Sequence, residues 1–423
     1  MIDFSTDTTE AIKSVGGTCM YEQVTRLRES GPAVPVELPE GVGAWSVSRG
    51  DVVRMLLTHP GVSRNLKETV PSYVPGSVPW LAPWVDVDSM ATTDGSAHAR
   101  LRKLITPAFT PRRVEKLRVQ VEEIVADLLA GLRAHGGGQP LDLHREFSYQ
   151  VPTRVICDLF GVPDDQRPEV LRAFRVVATT DVPEEESVAV YQDLEAAMRR
   201  LIVTKQTTPG DDLTSFLIAA RATGETPLTS HELISTLLLM IGGGSQTTIN
   251  LIDHTVRELL AHPDQLALLR AAPDRWNDAI EESLRVRCPV MHLPMRWATE
   301  DIDLGEGVVI RTGDAILICY GAHGRDPGVH ENPETFDIDR ADKDHLAFGL
   351  GPHFCPGSHL ARLEARVALP ALFDAFPQLA LAVAPEDVEP GQTFIGNDIA
   401  ALPVHLGHDG DVDGEGEGEG SAR

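Results

Sequence analysis

Apolar positions along this chain recur mostly three and four residues apart, the spacing that places them on one face of a helix. The longest such pattern opens at Thr229 and Glu232, spaced as a capping box in which each side chain serves the other's backbone N–H. It continues to about Ala261, roughly 33 residues and about 50 Å, enough to cross an entire domain. Further helices are expected over 48–59 and 111–134, and near 144–160, 165–180, 184–206 and 213–222; Gly136, Gly137 and Gly138 close the second of these. Strand-like stretches are short and few: 43–47, 295–298, 308–310, 315–320 and 402–406. The expected architecture is mainly α with small β-sheets. Two irregular stretches lie where a pocket could form, the Pro- and Trp-rich 65–90 and the turn at 206–212 with the helices before it. A single domain over 1–408 is expected, followed by an acidic, low-complexity tail, 409–423, without fixed structure.

One stretch breaks the helical pattern. Gly242, Gly243 and Gly244 stand together near the middle of the long helix, followed by Ser245, Gln246, Thr247 and Thr248. Each interior Gly costs about 1 kcal/mol relative to Ala, so the helix carries about 3 kcal/mol of weakness at its centre. Such a defect needs a reason.

Composition narrows the function. The formal net charge is −26, which argues against nucleic acid and anionic membranes as partners. No apolar run approaches the roughly 18 residues of a membrane span, and the first residues lack the basic and apolar regions of a signal peptide, so a cytoplasmic protein is expected. One basic run stands out: Arg100, Arg102, Lys103, Arg112, Arg113, Lys116 and Arg118, with Glu115 as the only acid between them. It reads either as a solvated helix face or as a docking surface. The five cysteines, Cys19, Cys157, Cys288, Cys319 and Cys355, are odd in number and include no C-x-x-C pair, so a disulfide framework or zinc site is not expected.

Only Cys355 has neighbours that change its meaning. In "HLAFGLGPHFCPGSHLARLEARVAL", 345–369, Gly349, Gly351 and Gly357 flank it, and an amphipathic helix follows with Leu360, Leu363 and Val367 on one face. A Cys just before a helix N-terminus feels the positive end of the dipole, which favours thiolate. Flanking glycines let backbone N–H groups approach the sulfur and let a flat cofactor lie close to the chain.

The run Phe348-Gly-Leu-Gly351-Pro-His353-Phe-Cys355-Pro-Gly357 resembles the haem-binding loop of the cytochrome P450 family, position by position. Glu282 and Arg285 resemble the family's E-x-x-R pair, about 70 residues before the Cys, where it is structural. Gly243-Gly244-Ser245-Gln246-Thr247-Thr248 resembles the signature of the family's long distal helix. The resemblance covers nearly the whole chain and implies the family's fold, with haem b (iron protoporphyrin IX) between the long helix and the Cys-loop helix, and Cys355 as the iron ligand. It also implies that His98 and Arg102, one turn apart, with Arg296 and His353, hold the two propionates; Gly349 and Gly357 belong to the same cofactor loop. Thr247, flanked by Gln246 and Thr248, is the expected oxygen-handling residue, and the glycines then give dioxygen room. Met90, Met240, Gly243, Leu293 and Phe394 fall in stretches that line the family's pocket, whose apolar character suits a bulky hydrophobic ligand.

Gln246 departs from the pattern, since the family's usual residue there is an acid that passes protons toward the oxygen. An amide does not titrate near neutral pH. Hydroxylation of a natural product (macrolide, polyketide, steroid or cyclic peptide) is the first reading. Oxidative C–C or C–O coupling of an aromatic, peptide-derived substrate such as a cyclic dipeptide is the alternative, and a non-catalytic haem sensor is a third. Electrons are expected from a separate ferredoxin and ferredoxin reductase, steered to the basic run 100–118, and the chain is expected to be a monomer. The HGGG at 135–138 has no accompanying G-x-S-x-G, so a hydrolase is rejected, and "GLGPHF" does not match a dinucleotide fingerprint.

Overall fold

The computed structural model describes residues 10–12, 18–135, 139–171, 184–223, 228–293 and 295–407. The tail 409–423, the glycines 136–138 and most of the expected helix 165–180 lie outside the described residues. Among the described residues, no helix is long and apolar enough to cross a membrane.

The long helix spans Ser230–Ala261, 32 residues, and its capping box is formed as the spacing requires. Glu232 does two things at once. One oxygen accepts from the Thr229 N–H at 2.8 Å. The other pairs with Arg100, on the helix Gly95–Ile105 that carries His98 and Arg102. Around the long helix pack the helices Gln150–Phe160, Glu184–Thr207, Trp276–Val286 and Ser358–Ala375. One apolar core fills the space between them, with Leu233, Leu237, Ile241, Ile252 and Val256 buried along the long helix.

The expected helix 111–134 divides into Pro111–Glu115 and Arg118–His135. The chain tightens between them, where Lys116 and Leu117 donate their N–H groups to Arg113 and Val114. The segment near 144–160 opens with a wider turn, His144–Ser148, before the regular helix Gln150–Phe160 stops at Gly161 in the left-handed conformation.

The main sheet has six short strands in the order Glu10–Ala11, Val34–Leu38, Val42–Val47, Ala315–Ile318, Arg296–Ala298 and Val62–Ser63. The hairpin joining the second and third turns at Glu40 and Gly41, both with positive φ, as a tight hairpin demands. This sheet delivers Arg296 and Arg64 to the edge of the helical core. Beside it an aromatic cluster gathers Trp80, Trp297 and Phe394, with Trp80 and Phe394 in edge-to-face contact at 5.7 Å. A three-stranded sheet, Ala380–Leu381, Pro403–His405 and Leu141–Asp142, fastens the C-terminal segment to the helices.

Glu282 and Arg285 are both fully buried, at 0% exposure. Arg285 makes a two-pronged pair with Glu282 at 2.8 and 2.7 Å and donates to the carbonyls of Gly324, Pro333 and Thr335. Glu282 also accepts from the Asp337 N–H and from Arg340. Every charge in the pair is met.

Candidate functional site

A cavity of about 380 Å³ opens between the middle of the long helix and the loop before Ser358–Ala375. Cys355 lines one wall; Gly243, Gln246, Thr247 and Thr248 line the opposite one.

The Cys wall is built by backbone. Gly349 and Gly351 hold φ of 70 and 73°, which a residue with a Cβ adopts only under strain. The resulting turn lets the Cys355 N–H donate to the Phe348 carbonyl at 2.8 Å. Burial raises the Cys355 thiol, while N–H groups of Gly357 and Ser358 and the charges of Arg102 and Arg362 pull it down. Arg362 lies over the Phe348 ring at 4.4 Å and is itself locked by Glu281 at 2.6 and 2.8 Å. Glu364, two residues further, also faces the cavity; burial holds its carboxyl well above the ordinary range, and one of its oxygens has no partner among the described residues.

The long-helix wall separates two of the three glycines by cause. A Cβ on Gly243 would meet nothing within 4 Å, so this glycine faces open cavity. A Cβ on Gly244 would come within 2.6 Å of Ile156, so that glycine lets the helix Gln150–Phe160 approach. Open space is therefore found at Gly243, whereas the missing side chain at Gly244 is taken up by Ile156. Thr247 donates its hydroxyl to the Gly243 carbonyl at 2.9 Å, leaving its oxygen able to accept. Thr248 is buried on the same wall.

At a third corner cations converge. Arg64, Arg102, Arg296 and His353 line the cavity, and His98 packs against His353 with ring centres 4.4 Å apart. His98 Nε2 and Arg296 Nε are buried without a hydrogen-bond partner among the described residues. Burial and the Arg296 charge lower Arg64 to about 10. Burial lowers His353 to about 4, against the hydrogen bond from its Nε2 to Asp94 at 3.1 Å. Burial and the Arg102 charge lower His98 as well. Three guanidiniums thus meet in a desolvated corner whose neighbouring carboxylate, Asp94, is already committed to His353, Ser63 and the Arg64 N–H. Two orphaned donors and an excess of positive charge fit a guest carrying carboxylates.

The four expected clamp residues, His98, Arg102, Arg296 and His353, are therefore brought together, and so are Cys355, Gly349, Gly357, Gln246, Thr247 and Thr248. Met90, Met240, Gly243 and Leu293 line the cavity. Phe394 does not. It is fully buried against Trp80, and its carbonyl accepts from His292 at 2.8 Å. Its neighbour Ile395 lines the cavity instead, where the chain bends and leaves Phe394 packed against Trp80. The basic run also divides. Arg100 is spent on Glu232, Arg118 on Glu115, and Arg102 faces the cavity; Lys103, Arg112, Arg113 and Lys116 remain exposed.

Two features escaped sequence reasoning. Arg64 follows a two-residue strand, Val62–Ser63, with no local pattern to mark it. A polar group behind Gln246 was marked, had the helical spacing been followed: Asn250 and Asp253 stand at i+4 and i+7, on an otherwise apolar helix. Gln246 Nε2 donates to Asn250 Oδ1 at 3.2 Å, and Asn250 Nδ2 donates to Asp398 Oδ1 at 2.6 Å. Asp253 pairs with His144 at 2.6 Å.

The comparisons agree with this geometry. The family model "Cytochrome P450" matches residues 276–397. The chain is 42% identical over 394 residues to the 2-hydroxy-5-methyl-1-naphthoate 7-hydroxylase of Streptomyces carzinostaticus, covering 92% of this chain and 96% of that one. It is 36% identical to the 6-deoxyerythronolide B hydroxylase of Saccharopolyspora erythraea, covering 91% and 96%. Among solved structures, that of CYP154A1 from Streptomyces coelicolor A3(2) superposes with a TM-score of 0.89 at 42% identity, covering 94% of this chain and 100% of that one.

Proposed function

Because the chain belongs to the cytochrome P450 family, an oxidoreductase family of haem-iron monooxygenases, we propose that it hydroxylates a bulky, hydrophobic polyketide-type natural product. The observation that carries this reading is the single cavity that has Cys355 on one wall and Gly243 and Thr247 on the other. An apolar space between a thiolate ligand and a hydroxyl-bearing helix suits insertion of oxygen into an unactivated C–H bond. The relatives named for hydroxylation of a naphthoate and of a macrolactone core support the substrate class and favour hydroxylation over coupling.

Cys355 would ligate the iron, and His98, Arg102, Arg296 and His353, joined by Arg64, would hold the propionates. The cation corner suits a group with two carboxylates. No C-x-x-C-H tether occurs in the chain, so haem b, held without covalent links to its vinyl groups, is the form that fits. Bound there, the haem supplies the thiolate-assisted oxygen chemistry. The chain's own residues do the rest. Gly357 and Ser358 N–H groups hold charge on the sulfur. Thr247 offers an accepting oxygen above Gly243, and Met90, Met240 and Leu293 exclude water around the substrate.

Electrons come from separate redox proteins. The exposed Lys103, Arg112, Arg113 and Lys116, on segments next to the Cys-loop helix, suit a small acidic ferredoxin. A monomer with one catalytic domain over 1–408, working in the cytoplasm, completes the reading.

Carbon monoxide difference spectroscopy of the reduced protein tests the core of it. A thiolate-type band is expected; a histidine-type band, or protein free of haem, would sink it. The haem spin-state shift then ranks candidate substrates, with naphthoates and macrolactones expected above steroids and cyclic dipeptides.

A further inference from the structure

The acid missing from position 246 has a replacement elsewhere in the fold. Asp398 lines the same cavity as Gln246 and Thr247, carried by the C-terminal loop rather than by the long helix. Two glycines make room for it. A Cβ on Gly391 would fall 2.6 Å from the Asp398 Cβ, and a Cβ on Gly396 would collide with its carboxyl oxygen. Neither glycine has a positive φ, so clearance for Asp398 accounts for both.

The surroundings aim this carboxyl and leave it able to change charge. Asn250 Nδ2 donates to Asp398 Oδ1 at 2.6 Å and is itself fixed by the Pro289 carbonyl at 3.1 Å. The Gln246 amide donates to Asn250 Oδ1 at 3.2 Å and is near enough to pull the Asp398 carboxyl down. The ionisable groups whose charges reach Asp398 are His144, from the wide turn His144–Ser148, and Asp253, from the long helix, which are paired with each other at 2.6 Å. On the other side His254 gives its Nε2 to the Asn397 carbonyl, and burial lowers it to about 3, so it stays neutral. Burial raises Asp398 to about 6, against the pull of Asn250, His144 and Gln246.

This arrangement accounts for the amide at 246. An acid there would set two carboxyl groups against each other, and one would stay protonated at a cost to both. Gln246 removes that repulsion and donates a hydrogen bond instead.

We propose that Asp398 is the proton donor on the oxygen side of the cavity, held in place by Asn250 and Gln246 and recharged through His144. This rests on the monooxygenase reading above. Hydroxylation takes up one dioxygen, two electrons and two protons for each C–H bond converted to C–OH, and releases one water. The electrons come from the reduced iron–sulfur donor. The protons leave the Asp398 carboxyl for the cavity, and the carboxylate regains each one from the His144 imidazolium, which draws from solvent. His144 suits that part. Its side chain is 17% exposed. Burial lowers its imidazole, but the hydrogen bond and charge of Asp253 outweigh this and leave it raised.

The test compares holoenzymes: wild type, Asp398→Asn, which keeps the shape but cannot titrate, and Asp398→Glu. Infrared difference titration in wild type should show a carboxyl C=O band lost with a midpoint near pH 6. Asp398→Asn should lack it, and Asp398→Glu should restore a shifted one. In turnover with substrate, the fraction of electrons recovered as product should fall in wild type as pH rises past that midpoint. In Asp398→Asn it should be lower by roughly a hundredfold, the low end of what a lost general acid costs, and flat with pH, with hydrogen peroxide taking up the difference. An infrared band unchanged in Asp398→Asn, or an unchanged coupling profile, overturns the proposal. The infrared arm needs no turnover, so failure of the monooxygenase reading and failure of this assignment are told apart.

Discussion

Two buried polar networks flank the cavity, and they are built on opposite terms. Glu282 and Arg285 form a closed one, with both side chains at 0% exposure and the guanidinium shared between a carboxylate and three carbonyls. The network of Gln246, Asn250, Asp253, Asp398 and His144 is open. One Asp253 oxygen has no partner among the described residues, Asp398 faces a cavity, and His144 reaches solvent. The closed network answers its donors and acceptors with partners; the open one leaves an oxygen unmet and a carboxyl facing space. A satisfied network is scaffold, and a partly satisfied one beside a cavity is equipped to titrate.

The largest effect should come from breaking the closed network. Arg285→Ala strands the Glu282 carboxylate and should cost about 3–5 kcal/mol, read as a fall in denaturation midpoint or a failure to accumulate folded protein. Loss under 1 kcal/mol would show that the pair is not the scaffold described.

The open network should respond in the opposite direction. The folded-state value of Asp398, about 6, lies above its ordinary value of 3.8. Its ionisation therefore works against the fold: the deficit is absent below about pH 4, grows as pH rises, and is complete above about pH 6. Asp398→Asn should thus be more stable than wild type by about 3 kcal/mol at pH 8 and equal to it near pH 4. Denaturant midpoints across that range check this. A variant less stable than wild type at pH 8 would mean that Asp398 belongs with the scaffold. The His144–Asp253 pair adds to the same slope, since its stabilisation is present at low pH and is lost as the raised imidazole deprotonates.

The smallest and most diagnostic change is Gln246→Glu. With a second carboxyl against Asp398, the coupling profile should move to higher pH by about 1 unit, with stability near pH 7 changed by under about 1 kcal/mol. No movement would separate position 246 from the Asp398 carboxyl.

Legibility in the sequence followed the range of the interaction. The Cys355 loop, the Thr229–Glu232 box and the Glu282–Arg285 pair are all set within a few residues, and each was readable as spacing. Four of the cation-corner residues were readable by resemblance alone, while Arg64, supplied by a strand end, had nothing local to mark it. Asp398 was invisible for the same reason: its partners lie 148 residues away, at Asn250. Phe394 failed by one residue, because the chain bends at 394 and 395 and no local pattern sets which neighbour turns inward. The Gly242–Gly244 run was read as one device, and only packing separates the glycine that faces space from the one that faces Ile156.

Glu232 holds a consequence of another kind. One of its oxygens closes the cap of the long helix, and the other grips Arg100 on the helix of His98 and Arg102. A single carboxylate therefore acts as a pivot pin between two levers. If the long helix rolled about its axis to turn Thr247 or Gln246, the pin would pull on the arm that carries the cations. The tilt of the long-helix wall and the position of the cation corner are, mechanically, one adjustment.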